Sequence, residues 1–152
     1  MRRKDRQLPE AEAWEIVDST PYGVLSLISP QGLPYGVPVT LWRQDNRVYF
    51  HCAQTGFKLD CLRSDPHVSI CCVGGAEILV DAMSVRYSSA ILTGTAREIT
   101  GREEKKAAAY ALCRHYKVPE NHQDMMAGFA SCLPAVAIWE INVTEITGKA
   151  RK

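Results

Sequence analysis

Three short apolar-rich runs follow one another between Tyr22 and Cys52, cut apart only by tight turns, and this spacing constrains the fold more than any other feature. Tyr22 to Ser29 (YGVLSLIS) alternates apolar with small or polar residues, the pattern of a half-buried strand. Ser29-Pro30-Gln31-Gly32 carries proline and glycine where a β-turn needs them. Pro34 to Arg43 (PYGVPVTLWR) is a second strand, and its two prolines place it at an edge or a bulge. Gln44-Asp45-Asn46 turns the chain again, and Arg47 to Cys52 (RVYFHC) is the third strand. Strands joined by such short turns make an antiparallel meander.

The rest of the chain extends this sheet and supplies helices. Pro9 followed by EAEAWEIVDS reads as a helix with Trp14, Ile16 and Val17 toward one side, ended by the Thr20-Pro21 step. Phe57 to Ser64 is a short helix with Leu59 and Leu62 on one side. His67 to Gly74 (HVSICCVG) is apolar on both faces and predicts a buried strand. Residues 84–98 (SVRYSSAILTGTARE) predict a long strand with a bend or bulge at Gly94. Thr100-Gly101-Arg102-Glu103 fits a capping box, opening a helix over REEKKAAAYALCRHYK. A further helix is expected over His122 to Cys132, then a final strand from Ala135 to Ile146 with Val136, Ile138 and Ile141 inward. About six strands, mostly adjacent in sequence, with three or four helices, describe one domain over residues 1–152: a small antiparallel barrel with helices outside.

Charge and cysteines narrow the partners. Residues 1–6 carry a net +3 and residues 149–152 another +3, so with +1 overall the body between them is −5. That is a poor nucleic-acid surface, and the basic ends read as solvated termini. No apolar run reaches the ~20 residues that span a bilayer, and no apolar stretch follows the first charges as in a secretory leader. The six cysteines include no CxxC pair, and most read as small buried hydrophobes in a reducing cytoplasm. No metal site is expected.

Familiar nucleotide and hydrolase motifs (P-loop, GxGxxG, HExxH, GxSxG) are missing, and three patches carry the chemistry instead. In Pro34-Tyr35-Gly36-Val37-Pro38 the interrupted strand leaves backbone groups free to bond the edge of a planar ring, or is simply a bulged edge. In His51-Cys52-Ala53-Gln54-Thr55-Gly56-Phe57-Lys58 a strand passes through a glycine turn to a helix start with a lysine, a natural phosphate seat. His51 adds a group that can change charge near neutrality. Arg86-Tyr87-Ser88-Ser89-Ala90 could bind phosphate or a ring edge, or its alternate residues could merely face solvent.

These segments, with MRRKDRQL, PYGVLSL, QGLPYGVPV, VYFHCAQTGFKLD and RYSSAILTGTA in order, resemble the nitroimidazole-resistance (Nim) branch of the pyridoxamine 5′-phosphate oxidase-like flavoproteins. The resemblance is clear from Met1 to about Glu98 and weaker beyond. It implies a mainly β (α+β) fold, the six-stranded antiparallel FMN-binding split β-barrel with peripheral helices. It further implies a homodimer with FMN at the subunit interface. By the same resemblance Gly36, Val37, Pro38 and Val39 would line the flavin ring, with His51, Cys52 and Ala53 on the neighbouring strand. Phe57 and Lys58 would hold the phosphate. Tyr87, Ser88 and Ser89 would complete the site, with Arg86 a further phosphate candidate, and His51 would be the catalytic residue beside the substrate space. True pyridoxamine phosphate oxidases are longer and carry a basic set near the C-terminus. Here the basic residues of VTEITGKARK are expected past the last strand, so vitamin B6 chemistry is not expected.

The function so implied is that of an FMN-dependent oxidoreductase passing electrons from a nicotinamide or similar donor to a small acceptor, as a nitroimidazole reductase does. Two alternatives share the fold. One is a non-catalytic flavin- or heme-binding protein, with His51, His67, His115 and His122 as possible axial ligands. The other is a silent dimerisation domain.

Overall fold

The computed structural model describes residues 3–117, 128 and 131–151. Eight strands join one antiparallel sheet: β1 (Gln7–Leu8), β2 (Gly23–Ile28), β3 (Pro34–Val39), β4 (Trp42–Gln44), β5 (Arg47–Ala53), β6 (His67–Leu79), β7 (Ser84–Glu98) and β8 (Val136–Arg151). Among the described residues three α-helices with defined bounds lie outside it: α1 (Glu10–Ser19), α2 (Phe57–Ser64) and α3 (Arg102–His115). The helix expected over 122–132 falls mostly outside the described residues.

The strand order is β3-β2-β6-β7-β8-β5-β4, with β1 added to β8. The end strands, β3 and β4, are separated in sequence by only Thr40 and Leu41. A sheet whose two ends are tied by two residues must curl on itself, which makes it a barrel. Closure is incomplete because, among the described residues, β3 pairs only with β2 and β4 only with β5. The fold is thus the antiparallel split barrel with peripheral helices.

Local chemistry accounts for the elements. α1 has Glu10 and Glu12 in its first turn, where the helix dipole favours negative charge. It ends at Thr20, which is extended before Pro21, and the Thr20 hydroxyl donates to the Ile16 carbonyl at 2.6 Å. The β2–β3 turn closes by a 2.8 Å bond from the Gly32 amide to the Ser29 carbonyl, with Gly32 at φ 77°. Along β2 burial alternates strictly, so Leu25 and Leu27 enter the core while Val24, Ser26 and Ile28 face out.

One core fills the barrel, with Leu25, Phe50, Ile70, Leu92, Trp139 and Ile141 at its centre. A second lies between the outside of β4, β5 and β8 and the inner face of α3, built from Trp42, Tyr49, Ile99, Leu112 and Ile138. β8 therefore buries both faces at its start. Ile141 faces the barrel as expected, whereas Ile138 and Val136 face α3.

Several elements depart from the sequence expectation. There are eight strands rather than six, because the second predicted strand breaks at Thr40–Leu41 and Gln7–Leu8 pairs with β8. No capping box forms: α3 has Gly101 at its N-cap without a side-chain hydrogen bond. β6 runs five residues past Gly74. β8 continues to Arg151, so Lys149 and Arg151 lie on the strand rather than past it, and the chain ends are paired to each other rather than solvated separately. No helix among the described residues is long and apolar enough to cross a membrane. All six cysteines are free, with Cys61, Cys72 and Cys113 buried.

Candidate functional site

The site is built around the split. Trp42 pairs with Tyr49 in the β4–β5 ladder. Extending that register backward along the chain would set Thr40 opposite His51 and Pro38 opposite Ala53, but the ladder does not continue. β3 thus leaves one backbone edge unpaired along Pro34–Val39, and β5 leaves one unpaired beyond Tyr49. Two open edges facing a gap offer amide and carbonyl groups to a flat polar ring, the feature that Pro38 and Gly36 signalled.

Alternation decides what each residue presents. On β3, Val37 and Val39 pack toward the barrel core while Gly36 and Pro38 face out. A ring at this edge would meet Gly36–Val39 through backbone, since their side chains divide between two faces. On β5, Cys52 faces the barrel core. His51 points the other way, its ring 6.2 Å from that of Trp42, which stacks on Tyr49 at 5.6 Å. Ala53, exposed, is the last residue of the strand.

α2 brings the second patch to the first. Gly56, at φ 139°, turns the chain into the helix and leaves its first amides without a side-chain cap. The Phe57 ring meets Tyr35 of β3 edge-on at 5.0 Å. Lys58 follows on the same helical turn, close enough to act on both His51 and Cys52. Burial, with the Lys58 charge second, holds His51 below its usual imidazole value. Burial raises the Cys52 thiol and Lys58 partly offsets this. The His51 Nδ1 atom is buried with no hydrogen-bond partner among the described residues. A cation beside two open strand edges offers an anion contact and backbone hydrogen-bonding groups at one place, with the buried His51 next to them.

The third patch does not join this group within one chain. Tyr87 and Ser89 face one side of β7, while Arg86 and Ser88 face α1 on the other. Arg86 is engaged by the Glu77 carboxylate on the exposed surface. Ser89 pairs with Lys149 of β8 and Ala53 with Val136. At ~3.3 Å per residue these positions lie roughly 40 Å apart along that strand. Arg86, Tyr87 and Ser88 instead line a separate cavity of about 590 Å³ beside α1. Trp42 is a site neighbour that sequence reasoning missed, and Tyr35, already inside the first patch, gains its contact with Phe57 only in the fold; both are defined by packing between elements. Among the described residues no three His, Cys, Asp or Glu side chains gather as metal ligands would.

Residues 9–150 match the family model of pyridoxamine 5′-phosphate oxidase, and the chain belongs to that family. Solved structures share its fold at low identity. A candidate 5-nitroimidazole antibiotic resistance protein from Bacteroides thetaiotaomicron superposes with a TM-score of 0.80 at 23% identity, over 94% of this chain and 85% of that one. The FAD and heme binding protein of Mycobacterium smegmatis gives 0.81 at 18%, over 97% and 74%. HutZ, the heme storage protein of Vibrio cholerae, gives 0.65 at 14%, over 90% and 92%. A search of curated protein sequences gave no match.

Proposed function

We propose that this chain is an FMN-binding flavoprotein with oxidoreductase activity, passing electrons from a nicotinamide or similar donor to a small acceptor such as a nitroimidazole. The observation that carries the reading is the split itself: unpaired edges of β3 and β5, with Lys58 and the orphaned His51 nitrogen beside them. The Gly36–Val39 backbone and the Phe57–Tyr35 edge would bound the flavin ring, and Lys58 with the first amides of α2 would hold the phosphate. Once bound, FMN would supply the hydride and electron chemistry. His51 would stand neutral at physiological pH, with Nδ1 enclosed, and would orient a bound acceptor by a hydrogen bond through its other nitrogen.

A homodimer belongs to the same proposal. Tyr87 and Ser89 cannot reach Lys58 within one chain, so those of one subunit would complete the site of its partner. The outward sheet face that would mediate this carries Val24, Val73 and Ile91, which are 39%, 54% and 47% exposed.

The visible spectrum of the purified protein, followed by FMN titration of the apo form, tests the cofactor. Saturable FMN binding, with bleaching on addition of NADH or NADPH, is expected. A protein that takes up no FMN overturns the reading. Heme is then the ligand to try, because His67 has Nδ1 held by Asp65 at 2.8 Å, leaving its other nitrogen to coordinate.

A further inference from the structure

The basic residues at the two ends of the chain converge in the fold. β1 pairs with β8, Gln7 opposite Lys149 and Leu8 opposite Gly148. On the other side of β8, Ser89 pairs with Lys149 and Tyr87 with Arg151. Directly paired residues of an antiparallel ladder point to one face. Tyr87, Ser89, Lys149 and Arg151 therefore share a face. It is opposite the face on which Gly148 abuts Ala13, and at the end of the sheet Tyr87 and Arg151 also border the cavity beside α1. The Lys149 Nζ lies 5.5 Å from the centre of the Tyr87 ring. Arg6, just before β1, acts on the same residue: Lys149 first, then Arg6, lowers the Tyr87 phenol from its usual value.

These cations are short of counter-charge. Lys149 and Arg151 are half-buried, and no carboxylate among the described residues lies within 4.0 Å of either. Arg6, with 25% of its side chain exposed, has only Asp5 at 4.0 Å, and that carboxylate is already held by Arg3. Glu12 lines a cavity of about 450 Å³ together with Arg6 and Arg151, and Glu15 and Glu77, the latter held by Arg86, border the neighbouring cavity with Tyr87 and Arg151, none of them within 4.0 Å of the three cations. Three partly desolvated cations around a phenol repel one another unless an anion joins them. A carboxylate ligand would bring one charge. A phosphate brings up to two, with enough acceptor oxygens for two guanidinium forks, an ammonium and the Ser89 and Tyr87 hydroxyls.

We propose that Arg6, Lys149 and Arg151, gathered around Tyr87 by the β1–β8–β7 ladder, form a binding site for a phosphate group of a small molecule. The site is separate from Lys58 on the same chain and does not depend on the flavin reading. Its phosphate could be that of FMN bound by a partner subunit, or a further one carried by a dinucleotide such as FAD or NADPH.

Calorimetric titration at low salt with pyrophosphate, FMN, FAD and NADPH tests it, comparing the wild-type protein with R6Q/K149Q and with Lys58→Ala. Pyrophosphate should bind the wild-type protein and weaken about 10-fold or more in R6Q/K149Q; it should persist in Lys58→Ala where the phosphate is a second one, and weaken there too where it is the FMN phosphate shared with Lys58 of the other subunit. An FMN loss matching the pyrophosphate loss identifies the flavin's own phosphate. A loss confined to FAD or NADPH identifies a second one. The single variant R151Q provides the same comparison should R6Q/K149Q melt early. Equal affinities in wild-type and R6Q/K149Q, or binding of a DNA oligonucleotide but no small phosphate, overturns the proposal. If wild-type protein binds no FMN, the flavin reading fails while the pyrophosphate titration still decides this one.

Discussion

His51 is where burial and charge act together. Both burial and Lys58 push its imidazole below the ordinary value of about 6.5. Between its folded and unfolded values, the unfolded chain holds a proton at this residue that the folded chain lacks. Its contribution to stability is therefore complete above about pH 6.5 and is lost as pH falls through the folded value. Urea unfolding across that window should show wild-type protein losing more stability with acid than His51→Gln, and parallel losses would refute the assignment. Lys58 is the other residue on which the site depends. Replacing it with alanine removes a charge-assisted contact worth roughly 1.5–3 kcal/mol, or about 10- to 100-fold in FMN affinity. Unchanged FMN affinity by titration would remove Lys58 from the phosphate seat.

At the scale of elements, two joints hold the scaffold that shapes the split. The first is the bulge opposite the Thr93–Gly94 step of β7, where Thr93 pairs with Glu145, Gly94 with Val143, and Thr144 of β8 is the extra residue. A Cβ on Gly94 would stand 2.2 Å from the Asn142 carbonyl oxygen, a backbone atom with nowhere to go. Gly94→Ala should cost about 1–3 kcal/mol and lower the melting temperature by ~2–4 °C for each kcal/mol, measured by thermal unfolding. The second joint fastens α3 to the sheet. The buried Glu140 carboxylate accepts from the Tyr49 hydroxyl at 2.9 Å and from Arg97 Nε at 3.0 Å. Arg97 also reaches Glu104 on α3. Arg97→Ala would leave Glu140 with Tyr49 and a distant Arg47 at 3.7 Å. Because Arg97 is half exposed, the expected loss is about 1–3 kcal/mol by urea unfolding, below that of a fully buried pair.

For the whole molecule the question is whether one chain suffices. In the dimer reading Ile91 lies at the centre of the outward apolar face, flanked by Cys71 on β6 and Thr147 on β8. Ile91→Lys would place a charge there without touching the barrel core. Light scattering should find wild-type protein at twice the 16.9 kDa chain mass and the variant as a monomer, with FMN affinity reduced alongside. A wild-type monomer that binds FMN tightly would refute the shared site. The β6–β7 arm extends the same concern for solvent exposure, since Ile78, Val80 and Met83 are 77%, 78% and 95% exposed near its tip.

The sequence by itself determined the elements whose causes are local. Alternation set the buried faces of β2 and β7, Pro21 ended α1, Gly32 closed the first hairpin, and Gly94 marked the bulge. It also flagged the open edge at Gly36–Pro38 and the lysine at the start of α2. Only tertiary structure decided what depends on pairing between distant segments. The break at Thr40–Leu41 follows from barrel closure. The strand character of Gln7–Leu8 exists only against Lys149 and Gly148. Arg86 is neutralised by Glu77, nine residues away across the hairpin, while the two basic ends meet through a ladder spanning nearly the whole chain. Local propensity carries no information about such partners, because the free energy that fixes them comes from burial and hydrogen bonding across the assembled sheet.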